Sequence, residues 1–426
     1  MLISPIENVK AQNVVINPPI AVDGNPAGMA YDPLHQRMYV ANIANNASVI
    51  DTNTNNVLET IGVGNNSISM AYDPVHQRMY IANIGSYGND GSVSVIDTNT
   101  NNVISNINLQ NPPNNPDSIS YDPVHQRMYV VIGGSIYGSS IVSVIDTNTN
   151  RIIGDIDVGY QPQSIAYDPV HQRMYVANYG VDSPNLPFIP GSVSVIDTNT
   201  TNIGNSNILG IINFTSNLQG LAYDPLHQRM YVANIGSNNV SVIDTNTILI
   251  GYNNIIDNIP LGNIAKGPYG IAYDPIHQRM YVTNVLSNTI SVIDTITNNI
   301  VSNPIAVGHK PDFIAYDPIH QRMYVTNYLD SNIFVINIGS NAQIICPGNN
   351  LEHWDKIIFK VTSADIATKS DLPLNSELDI KVLDNVNKVT DLKEKILDFI
   401  HLPDNNQTRN AIQIIGINYA IVCAEH

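Results

Sequence analysis

Short apolar runs separated by polar turns follow one another along most of the chain, and the same order of runs returns seven times. The unit is clearest at residues 167–178, YDPVHQRMYVAN, with near copies beginning at Tyr31, Tyr72, Tyr121, Tyr223, Tyr273 and Tyr316. Successive copies lie 41, 49, 46, 56, 50 and 43 residues apart. A period in the forties, with apolar positions alternating at period two, predicts an all-β, seven-bladed β-propeller with four strands per blade.

Blade 1 can be read in full. AGMAYD (Ala27–Asp32) is a first strand, PLHQ a turn opened by proline, and RMYVAN (Arg37–Asn42) a second strand. SVIDT (Ser48–Thr52) is a third strand ending in an Asx-type turn, and NVLETIGV (Asn56–Val63) is the outer fourth. SVIDT returns at Ser94, Ser143, Ser194, Ser241 and Ser291, and in degenerate form as FVINI (Phe334–Ile338). QNVVINPPIAVDGNP (Gln12–Pro26) precedes blade 1 and matches NNIVSNPIAVGHKP (Asn298–Pro311), the fourth strand of blade 6 and its link. The N-terminal segment is therefore expected to complete blade 7 and close the ring, which removes an exposed edge.

A motif repeated in every blade is expected to build the fold. Asp32 and Arg37 flank the turn and are expected to meet across the hairpin mouth. Tyr31 and Tyr39 are expected to pack or hydrogen-bond onto the adjacent blade. Met38 and Val40 alternate with Arg37 and Tyr39, which predicts one set in an inter-blade core and the other elsewhere. Seven of the eleven histidines belong to the motif. One turn per blade around a ring cannot converge on a single ion, so these histidines are read as turn residues. No HExxH, CxxCH, GxSxG or phosphate-loop pattern occurs, and no cofactor or metal site is expected from the sequence.

The runs YVTN (residues 281–284 and 324–327) and YVAN, each followed by an SVIDT or SVIDT-like run, resemble the YVTN-type β-propeller repeats of archaeal surface-layer proteins. The resemblance spans residues 13–345 and implies a propeller in an extracellular or cell-surface protein. Related seven-bladed propellers include amine dehydrogenase heavy chains and lactonases. Blade 3 departs from the pattern, with YVVI (Tyr129–Ile132) lacking the Asn.

Composition narrows the partners. Charged residues make up 13% of the chain, and the formal net charge is −17. Seven of the 19 basic residues are motif arginines. No basic stripe is left for phosphates, so nucleic acid and anionic membrane surfaces are poor partners. No apolar run is long enough to span a membrane. The start, MLISPIENVKAQ, lacks a signal-peptide core, so export information, if any, is not visible in it. Possible N-glycosylation sequons at Asn46, Asn65, Asn199, Asn213, Asn239 and Asn406 point to export, although an Asn-rich chain also generates them by chance.

The unrepeated parts carry the candidates for recognition. The loops between second and third strands are long in blades 2 to 4: residues 84–91, 132–140 and 179–191. Together with the links between blades they should share one face of the disc. They would present Tyr87, Asp90, Tyr137, Tyr179, Asp182 and Phe188 to a protein or glycan partner. The links add Tyr160, Lys266, Tyr269, His309, Lys310 and Asp312 near the channel mouth.

The texture changes after residue 345. The expected domains are an N-terminal extension (1–12), the propeller (13–345) and a small α+β accessory domain (346–426). Strands are predicted at residues 353–363, 377–384 and 411–423, with an amphipathic helix at residues 390–402. Cys346 and Cys423 bracket this segment and could close it with one disulfide; two unrelated buried thiols are the alternative.

The sequence thus favours a non-enzymatic extracellular or cell-surface scaffold that acts through protein or glycan contacts or by self-assembly. The alternatives are a propeller enzyme (a hydrolase or the partner of a redox enzyme) with a site at the channel mouth, or a subunit of a larger envelope complex. Fold alone does not choose among them.

Overall fold

The computed structural model describes residues 13–86, 91–109, 115–133, 140–183, 185–247 and 254–338, together with the backbone of two short strands near the C-terminus. Seven antiparallel sheets follow one another in chain order. In blade 1 the strands are β2 (Pro26–Asp32), β3 (Arg37–Asn42), β4 (Asn46–Asp51) and β5 (Asn56–Gly62). Blades 2 to 6 repeat this order, with inner strands β6 (Ser67–Asp73), β10 (Asn115–Asp122), β14 (Pro162–Asp168), β18 (Leu221–Asp224) and β22 (Pro268–Asp274).

The seventh sheet closes the ring as expected. Its inner strand is β27 (Pro311–Asp317), followed by β28 (Arg322–Asn327) and β29 (Asn332–Asn337). Its outer strand is β1 (Val14–Ala21), from the start of the chain. Val15 pairs with Ile336 and Ile20 with Ile333, with a break in register between Ile16 and Ile20. Blade 6 breaks its outer strand in the same place, into β25 (Asn299–Ile300) and β26 (Ile305–Ala306), both on β24 (Thr289–Asp294). Asn-Pro interrupts both segments, and a proline nitrogen cannot donate to the ladder.

The alternation in RMYVAN has a meaning different from the expected one: both sets of side chains are buried. Met38, Val40 and Ile50 pack against Tyr324, Ile333 and Val335 of blade 7. Tyr39, Ala41 and Val49 pack against Met70, Met79 and Ile81 of blade 2. A blade is thus apolar on both faces, because a neighbour covers each one. Five further clusters of the same kind complete the circuit. Burial of this sort gives roughly 25 cal/mol per Å² of apolar surface, so the stability of a blade depends on both neighbours.

The predicted pair of Asp32 and Arg37 does not form. Asp32 instead organises its own turn. Its carboxylate accepts from the backbone N–H of Leu34 at 2.9 Å and of His35 at 3.3 Å, and it meets His35 Nδ1 at 2.7 Å. The arginine reaches the next blade, where Arg37 Nη1 donates to the carbonyl of Thr98 at 3.1 Å. A local carboxylate satisfies the turn's amides, while the longer guanidinium spans to carbonyls left open at the adjacent turn. Arg78, Arg127, Arg173, Arg229 and Arg322 do the same.

The tyrosines bridge blades as expected. Tyr39 donates to Asn101 at 2.6 Å, Tyr80 to Asn150 at 2.6 Å, and Tyr324 to Asn55 at 2.7 Å. The first-strand tyrosines lie beside the motif Asp of the preceding blade: Tyr223 against Asp168, and Tyr31 against Asp317 across the closure. Burial and then that carboxylate push their hydroxyls far above the ordinary tyrosine range.

The C-terminal unit is described only by β30 (Ile357–Lys360) and β31 (Glu377–Ile380), paired antiparallel inside two of the predicted strands. The predicted helix, the last strand, Cys346, Cys423 and Asn406 lie outside the described residues. No described helix is long and apolar enough to cross a membrane.

Candidate functional site: the loop face and the channel mouth

The loops between second and third strands and the links between blades do share one face. Ile43 N–H donates to Asn25, Gly85 to Asn65, Tyr179 to Gln161 and Tyr328 to Lys310, joining loop to link in blades 1, 2, 4 and 7. The long loop of blade 4 folds into a small hairpin of its own, with Val181 and Ile189 exchanging backbone hydrogen bonds of 2.7 and 2.9 Å. Asp182 and Phe188 are exposed on it. Tyr179 is half-buried at its base, where its carbonyl accepts from Asn217. Burial and then Asp182 raise its hydroxyl pKa. Tyr87, Asp90 and Tyr137 fall outside the described residues. Exposed Tyr160, Ile264, Leu286 and Leu329 stand on the same face.

The sequons differ in what their amides do. Asn65, Asn199 and Asn213 are exposed, with the Asn65 amide donating to Ser86 Oγ at 2.7 Å. Asn46 is tied to Asn42 at 2.7 Å and to Asp23 at 3.1 Å, and Asn239 accepts from Asn234 and Ser237.

The inner strands surround a central cavity of about 180 Å³. Each inner strand begins at the loop face. The residue that follows the proline, or its substitute, is Ala27, Ile68, Asp117, Gln163, Gln219, Tyr269 or Asp312 from blade 1 to blade 7. A β-bulge sits at this point in most blades, where the register shifts on either side of it. Further in, Met29, Met70, Ile119, Ile165, Leu221, Ile271 and Ile314 form an apolar ring. The repeat is therefore uniform inside the channel and irregular at its mouth.

Asp117 borders the cavity, and burial pushes its carboxyl up to about 7, with the Gly133 N–H opposing the shift. Asp312 is 7% exposed, and its Oδ1 has no hydrogen-bond partner among the described residues. Burial raises it to about 6 against the opposing pull of Lys310, whose Nζ lies 3.9 Å from Oδ2. Lys310 also sits over the Tyr328 ring at 3.9 Å from its centroid. Tyr269 lines the cavity edge-on to Phe313, with centroids 6.4 Å apart. Its hydroxyl is pushed far up by burial, then by Asp312, then by Asp117.

Of the link residues singled out in the sequence, Tyr269 and Asp312 come together here, with Lys310 at the rim. His309 turns away to Asp330 at 2.9 Å. Sequence reasoning missed Asp117, Gln163 and Gln219. Aligning the seven inner strands on their Tyr-Asp ends would have found them, as polar residues in a column that is otherwise apolar or aromatic apart from Asp312.

No family model matches this chain, and no curated protein matches it. Among solved structures it is similar to Kuenenia stuttgartiensis hydrazine synthase, with a TM-score of 0.63 and 19% sequence identity over 76% of this chain and 99% of that one. The likeness is one of fold: a seven-bladed β-propeller.

Proposed function

We propose that this chain is a non-catalytic binding scaffold of the cell exterior or surface, which engages protein or glycan partners through the loop face of its disc. The observation that carries the reading is where the irregularity sits. The repeated Asp, His, Arg and Tyr residues form turns and join blades, whereas length, aromatic residues and exposed apolar side chains vary on the loop face. The charge-poor surface, the exposed sequons Asn65, Asn199 and Asn213, and the resemblance of YVTN and SVIDT to archaeal surface-layer repeats support an exterior setting.

The test replaces residues 179–191 with the short Ile43–Asn45 turn of blade 1. The melting temperature, glycan-array binding and native mass of the variant and the parent are then compared. The reading expects partner binding or self-association to fall at least tenfold with melting within about 3 °C of the parent. Unchanged binding and mass in the variant would count against the loop face.

A second reading is an enzyme acting at the channel mouth, favoured by the buried carboxyl of Asp117 beside the cavity and that of Asp312 at the same position of the blade 7 inner strand. It requires turnover of a substrate that is lost in Asp117→Asn.

A further inference from the structure

We propose that the central cavity binds a single neutral pyranose unit, its hydroxyls met by a girdle of polar side chains on blades 2 to 6 and one C–H face resting on the apolar ring beneath. This site is the cavity itself, separate from the surrounding loops of the loop-face reading, and it does not depend on that reading.

Two positions near the start of each inner strand make the girdle. The residue after the opening proline, or its substitute, supplies Asp117, Gln163, Gln219 and Tyr269 in blades 3 to 6, and the next supplies Ser69, Ser118 and Ser164 in blades 2 to 4. All of them line the cavity. Ser69, Ser118 and Gln219 are 4%, 7% and 8% exposed, and their side chains make no hydrogen bond among the described residues. Their polar atoms are not sealed in protein, as Asp312 Oδ1 is, so the surface they keep faces the cavity. Gln163 reaches only the carbonyl of Pro162, at the long distance of 3.5 Å. Polar side chains this deep are normally paired, and a ligand that pairs them removes the cost of their isolation.

The kind of polar group chooses the ligand. Each amide and each hydroxyl of the girdle both donates and accepts. Burial pushes the Asp117 carboxyl up to about 7, so near neutrality it can do both as well. An ammonium or a metal ion offers no acceptor to the amide N–H groups and would leave them unmet. No lysine, arginine or histidine lines the cavity among the described residues, so an anion finds no counter-charge. Hydroxyl groups on a neutral ligand answer both roles at once.

Shape and size narrow the choice to a ring. A pyranose carries hydroxyls around its circumference and C–H bonds on its two faces. The cavity has the same plan, with polar groups in an arc around the channel and, beneath them, the apolar ring from Met29 round to Ile314. Phe313 closes the arc on the blade 7 side with an aromatic wall, edge-on to Tyr269. The volume is about 180 Å³. An apolar protein cavity of about 150 Å³ is enough to hold benzene, so one substituted six-membered ring is accommodated here and a second is not.

The experiment is isothermal calorimetry on the full chain with the methyl glycosides of glucose, galactose and mannose, beside cyclohexanol and benzylammonium chloride as probes that lack the ring of hydroxyls. At least one glycoside is expected to bind at least tenfold more tightly than either of those probes. Gln163→Met and Gln219→Met keep the length of the side chain and remove its amide. Each should weaken that glycoside at least tenfold, with melting within about 3 °C of the parent. Should either fail to fold, Ser164→Ala, a smaller change at a half-buried position, should weaken it at least threefold. Replacing residues 179–191, which tests the loop face, should leave glycoside binding unchanged, so the two readings can fail separately. Binding of no glycoside at about 10 mM, equal or tighter binding of cyclohexanol or benzylammonium, or glycoside binding unchanged in the folded cavity variants would each overturn the proposal.

Discussion

At the scale of single residues, the chain uses aspartate in two opposite ways. Asp168 is fully buried and surrounded by donors: the N–H groups of Val170 and His171 at 3.0 and 3.1 Å, and His171 Nδ1 at 2.8 Å. Replacing it with alanine leaves those donors unmet, so Asp168→Ala should cost about 2–4 kcal/mol in denaturant unfolding. The tyrosines allow a finer comparison. Tyr80 donates to Asn150, but Tyr129 faces blade 4, where Thr201 replaces that Asn, and its buried hydroxyl has no partner among the described residues. Tyr80→Phe should cost about 1 kcal/mol, while Tyr129→Phe should stay within about 0.5 kcal/mol of the parent by the same unfolding measurement. The motif's structural role was legible because it was repeated. Its partners were not: a four-residue turn suggested Asp with Arg, and only the three-dimensional placement of the next blade shows where a long guanidinium finds carbonyls.

At the scale of elements, closure carries the most weight. β1 supplies the outer strand of blade 7, and Ile20 lies in the core shared by blades 7 and 1. Deleting residues 1–24 would uncover β29 and open that core. The truncated chain should lose cooperative unfolding or associate through the free edge, which calorimetry and light scattering would detect. Full cooperativity in a monomeric truncated chain would refute this role. The closure was readable because Gln12–Pro26 repeats Asn298–Pro311, including the Asn-Pro that interrupts both outer strands. The links hold a subtler correspondence. Gly159 packs so closely on Asn178 that a Cβ there would come within 2.6 Å of its amide, and Gly64 and Gly308 meet Asn83 and Asn327 in the same way. Blade 3 has Ile132 in place of that Asn, and its link carries no glycine. Blade 5 keeps the Asn, as Asn234, with Thr215 at the glycine position, so the Asn itself does not require the glycine.

At the scale of the whole molecule, the sevenfold repeat makes the propeller itself nearly symmetric, and recognition is expected where that symmetry fails. The loop face was legible from loop lengths. The channel mouth was only half legible, because Tyr269 and Asp312 stood out in their links while Asp117 lay inside an ordinary-looking strand. Its effect on stability has a definite sign. Asp117 carries a carboxyl raised to about 7, so the folded state holds a proton that the unfolded chain releases near pH 4. Its contribution is intact below the unfolded value and is lost as pH rises through the folded one, by on the order of a few kcal/mol. Asp312, raised to about 6, acts in the same direction. Stability measured by denaturant unfolding should therefore fall between pH 4 and pH 8 more steeply in the parent than in Asp117→Asn.

Repeated carboxylates hold the turns of this ring, whereas the unrepeated Asp117 is buried beside the cavity at a cost in stability above its raised pKa. One comparison tests it most directly: thermal melting of Asp168→Ala and Asp117→Asn beside the parent at pH 8, without ligand. Both substitutions remove a negative charge from the first strand of a blade. The two shifts are expected to have opposite signs, with the melting temperature of Asp168→Ala lowered by several degrees and that of Asp117→Asn raised. A fall in both, of similar size, would contradict this, because Asp117 would then be one more structural residue of the ring.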